Sequence, residues 1–271
     1  MRGWMLLILA VPVLYLFGLP LITLFLKRIP ANPEFEPADE YVGLLGLARD
    51  CFEDVSKELG EVGFETTGTL FVPEPFRTEK SIARVFANRS QQDVAIAVAM
   101  FSSREDKWKL ETQDVGFGTV FEDSTIVSLS NRPAGGLVLS PAHEVSVRAP
   151  WITEPRRLYD AHRSVCRLVA GGTERAWPLD SKYGGDVTAY FADIWTRELD
   201  EARKRGLLRL VNANPVADCS VQHSAGLYRA TVKGAYIMTW AGLWPFKQIN
   251  AAVHLRRSRW LLEQAGINWD E

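Results

Sequence analysis

The residues that could carry chemistry are two histidine–cysteine pairs with the same spacing. His162 and Cys166 are four residues apart, and so are Cys219 and His223. On a helix, residues four apart lie on one face, so His162 and Cys166 could clamp a single ion. Both pairs together would supply two thiolates and two imidazoles, a tetrahedral ligand set that zinc favours.

The alternative for these residues is structural. His162 and Cys166 fall on the apolar face of a predicted helix, where a cysteine behaves as a small hydrophobe. Cys219 and His223 lie in a polar stretch, and nothing in the sequence brings the two pairs together. The three cysteines are sparse and odd in number, which argues against a disulfide framework. We therefore expect no bound metal and no other cofactor.

Motifs for an activated nucleophile or a phosphate-binding loop are missing from the sequence. It contains no Gly-x-Ser-x-Gly elbow and no glycine-rich loop that opens a helix. A membrane-tethered enzyme would need convergent polar groups in a pocket, for example His162 with Asp160 or the histidine–cysteine set. We assign no catalytic residue and expect a binding function, with the tethered enzyme as an alternative.

A second group of residues favours contact with a membrane surface. Residues 234–246 are apolar and aromatic, but they are too few to span a bilayer as a helix. Aromatic side chains share one side of this segment, and basic residues border or follow it. The predicted membrane-surface residues are Lys233, Tyr236, Trp240, Trp244, Lys247, Arg256, Arg257 and Arg259. The alternative is a helix packed in the core of the domain.

The N-terminus predicts a transmembrane anchor. Residues 3–26 contain no charged side chain, and a spanning helix needs about 20 apolar residues. The run would reach about 36 Å at about 1.5 Å per residue, which exceeds a hydrocarbon core of about 30 Å. Lys27 and Arg28 close the run, whereas a cleaved signal peptide has a shorter apolar core and a small-residue cleavage site. We expect one continuous helix with few contacts to the rest of the chain.

Charge is distributed unevenly along the chain, whose net charge is −2. Residues 31–201 carry 18 Lys and Arg against 29 Asp and Glu, whereas residues 202–271 carry 10 against 4. The basic end suits an anionic surface, most simply the cytoplasmic leaflet of the membrane. The positive charges on the two sides of the anchor are nearly equal, so the positive-inside rule hardly distinguishes between the two orientations. We predict a single-pass membrane protein that faces the cytoplasm and has the lipid bilayer, but no nucleic acid, as a partner.

The remaining pattern predicts an α+β domain. Apolar residues recur every three or four positions over 38–59, which is typical of an amphipathic helix. Strands are predicted over 64–72, 82–88, 93–102, 115–121, 125–129 and 144–148. Short links without helices between these strands favour an antiparallel sheet. Residues 93–101 are almost wholly apolar, which predicts a central strand buried on both faces.

Helices return in the second half of the chain. Thr153 and Pro155 predict a helix start. A further helix is predicted over 186–205, and a helical stretch over 234–264 should be broken or kinked at Pro245. Weaker strands are predicted over 207–212 and 226–232.

These patterns divide the chain into three parts. They are a transmembrane anchor over 1–29, a linker over 30–37 and a soluble α+β domain over 38–271, with a candidate sub-boundary near 150–155. We expect the domain to bind a partner or ligand near the membrane surface. A small-molecule sensor domain is the other alternative, and it requires an enclosed apolar pocket beside the sheet.

Overall fold

The computed structural model describes residues 17–26, 28–31, 35–38, 41–72, 79–104, 107–133, 143–211, 227–243 and 246–268. Over these residues the chain is α+β, as predicted. The helices are α1 (Leu19–Leu26), α2 (Val42–Glu61), α3 (Pro155–Ala170), α4 (Pro178–Ser181), α5 (Val187–Lys204), α6 (Val232–Gly242) and α7 (Phe246–Gln264). The strands are β1 (Arg28–Pro30), β2 (Glu36–Pro37), β3 (Glu65–Val72), β4 (Glu79–Asn88), β5 (Asp93–Arg104), β6 (Lys107–Phe121), β7 (Ile126–Ser130), β8 (Glu144–Arg148), β9 (Arg175–Ala176), β10 (Leu208–Val211) and β11 (Leu227–Ala230).

The chain divides into two compact units. Unit 1 contains Met1–Pro33, Gly135–Leu139 and Ile194–Asn250. Unit 2 contains Glu34–Ala134, Ser140–Asp193 and Ala251–Glu271. Each unit has a sheet and a hydrophobic core of its own.

Strands β2 to β8 of unit 2 form one sheet in the order of the sequence, and β9 pairs with the end of β6. Neighbouring strands are antiparallel from β2 to β7, as the short links predicted. Strand β8 is parallel to β7, so the expectation of a purely antiparallel sheet is wrong at this edge. A parallel pair needs a longer return connection than a hairpin, and the link between Ser130 and Glu144 provides it.

Helices α2 and α3 contribute to the core on one side of this sheet. Their apolar residues recur every three or four positions, so each helix presents one continuous apolar side. The buried apolar residues are Leu44, Ala48, Phe52, Val55 and Leu59 on α2, and Leu158, Tyr159, Ala161, Val165 and Cys166 on α3. Burying a Leu, Val or Phe side chain stabilises a fold by about 1.5–3 kcal/mol, so these helices are held mainly by this core.

Strand β5 is central in the sheet, between β4 and β6, as predicted. Its burial differs between the two faces. The residues on the helix-covered face are fully buried, and they are Ala95, Ala97, Ala99 and Phe101. On the other face, Ile96, Val98 and Met100 are only half-buried. Burial on both faces is therefore wrong for part of the strand, because an apolar run does not specify what covers each face.

Unit 1 is built on a three-stranded antiparallel sheet in the order β1-β11-β10. Its core includes Leu208 and Tyr228 from the sheet, Leu199 from α5 and Met238 from α6. Thr231 caps α6 by accepting the backbone N–H of Gly234 at 3.0 Å.

Glycine is required at the start of α6. A Cβ atom on Gly234 would lie 1.9 Å from the carbonyl oxygen of Leu207. The absence of a side chain therefore lets this helix approach the backbone of the neighbouring segment. Helix α6 ends at Gly242 and α7 begins at Phe246, so the break falls where it was predicted.

Helix α1 is the described end of the predicted anchor, because residues 3–16 lie outside the described residues. Oγ1 of Thr23 is 2.7 Å from Oγ1 of Thr239 on α6, and Leu24 packs against the core of unit 1. The expectation of few contacts with the rest of the chain is therefore wrong for α1. In the part of the chain that the structure describes, no helix is both long and apolar enough to cross a membrane.

Candidate functional site

The first predicted histidine–cysteine pair lies on the buried side of α3. Pro155 occupies the first turn of this helix, and Gly171, with a φ of +54°, ends it. His162 and Cys166 are one turn apart and almost fully buried. Nε2 of His162 is 3.4 Å from Sγ of Cys166, so the spacing predicted their proximity correctly.

Thr119 of β6 connects this pair to a buried carboxylate. Its hydroxyl donates to Oδ1 of Asp93 at 2.5 Å, and the same Oγ1 lies 2.8 Å from Nε2 of His162. The thiol of Cys166 also donates to this oxygen, at 3.4 Å. Because the hydroxyl hydrogen of Thr119 is committed to Asp93, Nε2 of His162 must carry a proton and donate it.

Asp93, the first residue of β5, is the centre of the network. The hydroxyl of Tyr159 donates to Oδ2 of Asp93 at 2.8 Å. Nη1 of Arg175 donates to Oδ1 at 2.9 Å, and it donates to the carbonyl of Gln91 as well. The side chain of Asp93 is 0% exposed and that of Arg175 is 22% exposed, so the ion pair balances a fully buried charge. The network joins β5, β6, β9 and α3.

Burial sets the protonation states in this network. It lowers the pKa of His162 to about 4, although the carboxylate of Asp93 acts in the opposite direction. It raises the pKa of Cys166 to about 11, despite the hydrogen bond with Thr119. It also raises the pKa of Tyr159, and the negative charge of Asp93 adds to that rise. At pH 7 the imidazole, the thiol and the phenol are therefore all neutral.

The closed network fits a structural role better than catalysis. Cys166 is held as the thiol, whereas the thiolate is the nucleophile and the metal ligand. Asp160 is exposed while His162 is fully buried, so the predicted pair of these two residues is not formed. Nδ1 of His162 has no hydrogen-bond partner among the described residues, which leaves nothing to hold a second proton on the ring.

The second half of the predicted zinc set cannot be placed. Cys219 and His223 lie outside the described residues. Within the described ranges, no three His, Cys, Asp or Glu side chains are grouped so that they could hold a metal ion.

The sequence does not single out Asp93, Thr119 or Arg175 of the buried network. One feature of the sequence could have indicated Asp93: it is a charged residue at the start of an otherwise apolar strand.

The predicted membrane-surface residues of unit 1 lie on α6 and at the start of α7. Lys233 is exposed, and its Nζ donates to the carbonyl of Arg205 at 2.8 Å. Trp240 is half-buried, and its ring meets that of Phe246 edge-on at 4.6 Å between centroids. The others in this unit are Tyr236, which is half-buried, and Lys247, which is exposed. Trp244 lies outside the described residues.

Three further predicted membrane-surface residues belong to unit 2. Arg256 and Arg257 are exposed on α7. The guanidinium of Arg259 lies 5.0 Å from the centroid of the Trp151 ring. Such a contact favours a packing role for Arg259, in addition to its charge.

Helix α1 has a strongly exposed apolar side. The exposed side chains are Leu21 (50%), Ile22 (53%) and Phe25 (67%) on α1 and Phe17 (53%) just before it, and Val232 (62%) and Ile237 (38%) of α6 are also exposed. Soluble monomers rarely expose large contiguous apolar patches, and such patches mark contacts with proteins or membranes. The exposed side of α1 is therefore a candidate contact surface.

The two units carry opposite charge. Unit 1 has eleven Lys and Arg against four Asp and Glu, a net charge of +7. Unit 2 has twenty against twenty-nine, a net charge of −9. The apolar side of α1 therefore belongs to the basic unit.

An open hollow of about 540 Å³ lies at the start of α3 in unit 2. Trp151, Arg157, Asp160 and Ile267 are among its lining residues. This hollow mixes charged and apolar groups and is open to solvent. It therefore differs from the enclosed apolar pocket that the sensor alternative requires.

No protein-family model, no curated protein and no solved structure matches this chain. Two features of the described residues bear on function: the buried polar network of unit 2 and the exposed apolar side of α1 in the basic unit 1.

Proposed function

We propose that this chain is a single-pass membrane-anchored protein whose soluble α+β domain binds a partner or ligand near the membrane surface. The observation that carries the proposal is the exposed apolar side of α1, at the end of the uncharged run 3–26. This helix is tied to α6 of unit 1 through Thr23 and Thr239. The anchor would thus hold the rest of unit 1 close to the bilayer.

Lipid is the better solvent for this side of α1. Burying a Phe, Leu or Ile side chain away from water contributes about 1.5–3 kcal/mol of favourable free energy. Insertion of α1 into the hydrocarbon of a bilayer would supply this free energy. The hydroxyl of Thr23 donates to the carbonyl of Leu19 at 3.2 Å, so Thr239 is the donor in the contact between the two threonines. This hydroxyl is satisfied within the protein, as a lipid environment requires.

The positive charge of unit 1 supports a surface of anionic lipid. Cytoplasmic leaflets carry such lipid, and each Lys or Arg near them contributes about 1 kcal/mol. We therefore infer that the soluble domain faces the cytoplasm. The surface residues of this proposal are Lys233, Tyr236, Trp240, Trp244, Lys247, Arg256, Arg257 and Arg259. No nucleic-acid partner is proposed, because the chain as a whole is slightly acidic, with a net charge of −2.

The hollow in unit 2 supports a second candidate, a tethered domain that binds or converts a small polar ligand. Arg157 and Asp160 would meet the charged groups of such a ligand, and Trp151 its flat or apolar part. A membrane-tethered enzyme that acts on a small polar ligand has this requirement. It differs from simple partner binding in that loss of Arg157 would abolish ligand binding.

Depth measurements on the full chain in lipid vesicles test the anchor. In a C51A/C219A background, in which the remaining Cys166 is buried, one added cysteine at Leu21→Cys, Phe25→Cys or the control Lys204→Cys carries a fluorescent label. Lipids with a quencher in the acyl chain should quench labels at 21 and 25, and aqueous iodide should quench the label at 204. Iodide quenching at 21 and 25, without lipid quenching, would contradict the proposal. Digestion of the domain by protease added outside intact cells would contradict the orientation.

A further inference from the structure

The small sheet of unit 1 brings three arginines to one cross-strand row. Arg229 of β11 pairs with Arg28 of β1 on one side and with Arg209 of β10 on the other. Residues directly opposite each other in an antiparallel pair have Cβ atoms about 4.5–5.5 Å apart, and like charges there are destabilising. The three positive charges therefore repel one another, and a nearby anion would stabilise the row.

Arg209 and Arg229 lie on the face of the sheet that points away from the core. Successive side chains of a strand alternate between its two faces. The strand neighbours of these arginines, Leu208, Tyr228 and Ala230, are buried in the core of unit 1. Arg209 is exposed and Arg229 is half-buried. Arg28 is placed beside them by the backbone register alone.

No ion pair joins Arg209 or Arg229 to a described acidic residue. The acidic residues Asp200 and Glu201 of unit 1 contact Arg203 and Arg205 instead, at 3.5 and 3.2 Å. Nε of Arg229 is shielded from solvent and has no hydrogen-bond partner in the described part of the chain. A guanidinium presents several N–H donors in a planar fork, which matches a phosphate group. Because Nε of Arg229 is shielded from a ligand as well as from water, the terminal nitrogens of the two guanidinium groups are the donors that would meet an anion.

The position of the row indicates the source of that anion. Only Lys27 separates Leu26, the last residue of the apolar helix α1, from Arg28. If α1 is the end of a membrane anchor, the row lies at the depth of the lipid headgroups. Arginine and lysine near that depth attract anionic lipid.

We propose that Arg209 and Arg229 bind the phosphate of an anionic phospholipid headgroup. This inference rests on the proposed membrane anchor, because a lipid phosphate meets the row only if α1 is in the bilayer. It goes further in that it assigns a defined headgroup site to the outer face of the sheet.

Native mass spectrometry of the full chain in detergent tests this site. The protein is mixed with phosphatidylglycerol or with phosphatidylcholine, and the bound lipid is counted. The wild-type chain should retain phosphatidylglycerol selectively, and R209Q/R229Q should bind it about tenfold more weakly. The control R203Q/K204Q removes the same charge from the same unit outside the row, and it should bind like the wild type. Equal losses in the two double variants would overturn the site.

Three further arms complete the test. Soluble glycerol phosphate should not compete with phosphatidylglycerol, and competition would show a free-phosphate site instead. The variant R209K/R229K keeps the charge but lacks the fork, so binding should be intermediate, and full binding would overturn the role of the guanidinium. All variants should still float with vesicles, because α1 is unchanged. Failure of the wild-type chain to float would contradict the anchor, whereas flotation without lipid selectivity contradicts only the arginine site.

Discussion

Nε2 of His162 lies 2.8 Å from Oγ1 of Thr119 in a part of the core that solvent does not reach. Through this contact α3 is joined to β6, and through Asp93 the connection continues to β5. Buried polar networks rigidify a core when every member is satisfied, and an unsatisfied member is costly. Replacing single members of this network should therefore have effects much larger than replacing surface residues.

The first prediction concerns the carboxylate at the centre. Asp93→Asn removes the buried charge that Arg175 balances, and it should lower the free energy of unfolding by about 3 kcal/mol. The measurement is denaturant unfolding of the full chain in micelles, followed by tryptophan fluorescence. The matched control is Glu65→Gln, which breaks an ion pair with Arg89 that is 3.2 Å long and exposed. Its cost should stay below about 1 kcal/mol, and equal costs would contradict the role of the network.

The second prediction concerns pH. Burial lowers the pKa of His162 to about 4, whereas the unfolded chain binds this proton near pH 6.5. The neutral imidazole therefore makes its full contribution to the free energy of unfolding above pH 6.5, and this contribution is lost as the pH falls toward 4. Between pH 7 and pH 5 the loss should be about 2 kcal/mol.

His162→Gln should abolish this part of the pH dependence. His254→Gln is the control, because the side chain of His254 is exposed and outside the buried network. The check is unfolding at a series of pH values. If His162→Gln shows the same slope as the wild-type chain, the imidazole is not the titrating group.

The third prediction separates a structural thiol from a reactive one. Cys166 is 1% exposed, and burial raises its pKa to about 11. In C51A/C219A, a maleimide should label Cys166 only as fast as the chain unfolds. In C166A/C219A, the half-buried Cys51 should be labelled faster. Rapid labelling of Cys166 in the native chain would contradict its place in a closed core.

Much of the fold was predictable because hydrophobic periodicity reports which residues face a core. Helix α2 and the strands around β5 lie where their apolar patterns predicted them. Contacts between distant residues leave no such pattern. Asp93 and Tyr159 are 66 positions apart, so their hydrogen bond is invisible until the sheet and α3 are assembled.

Strand register explains why the arginine row was not predicted from the sequence. The row of Arg28, Arg209 and Arg229 depends on which residues pair across three strands, and the sequence contains only scattered arginines. The parallel pair β7–β8 was missed for a similar reason. The local sequence favours strands, but it does not specify the direction in which the chain returns.

The fourth prediction concerns the start of α6. Gly234→Ala should destabilise unit 1 by about 1–3 kcal/mol, because the new Cβ would clash with the carbonyl of Leu207. Gly46→Ala is the control, since nothing lies within 4 Å of a Cβ at this exposed helical position. That change should stabilise α2 by about 0.5–1 kcal/mol. Thermal unfolding of both variants gives the comparison, and a stabilising Gly234→Ala would contradict the packing of α6.

The last prediction tests the contact between α1 and α6. Thr23 and Thr239 have their hydroxyl oxygens 2.7 Å apart, and a disulfide needs Cβ atoms about 3.5–4.5 Å apart. In C51A/C219A, Thr23→Cys with Thr239→Cys should therefore form a disulfide in vesicles after mild oxidation. Counting free thiols with a maleimide polymer should show the loss of two. Leu21→Cys with Thr239→Cys is the control and should keep both thiols, because Leu21 is on the exposed side of α1. Equal oxidation of the two variants would mean that α1 and α6 are not held together.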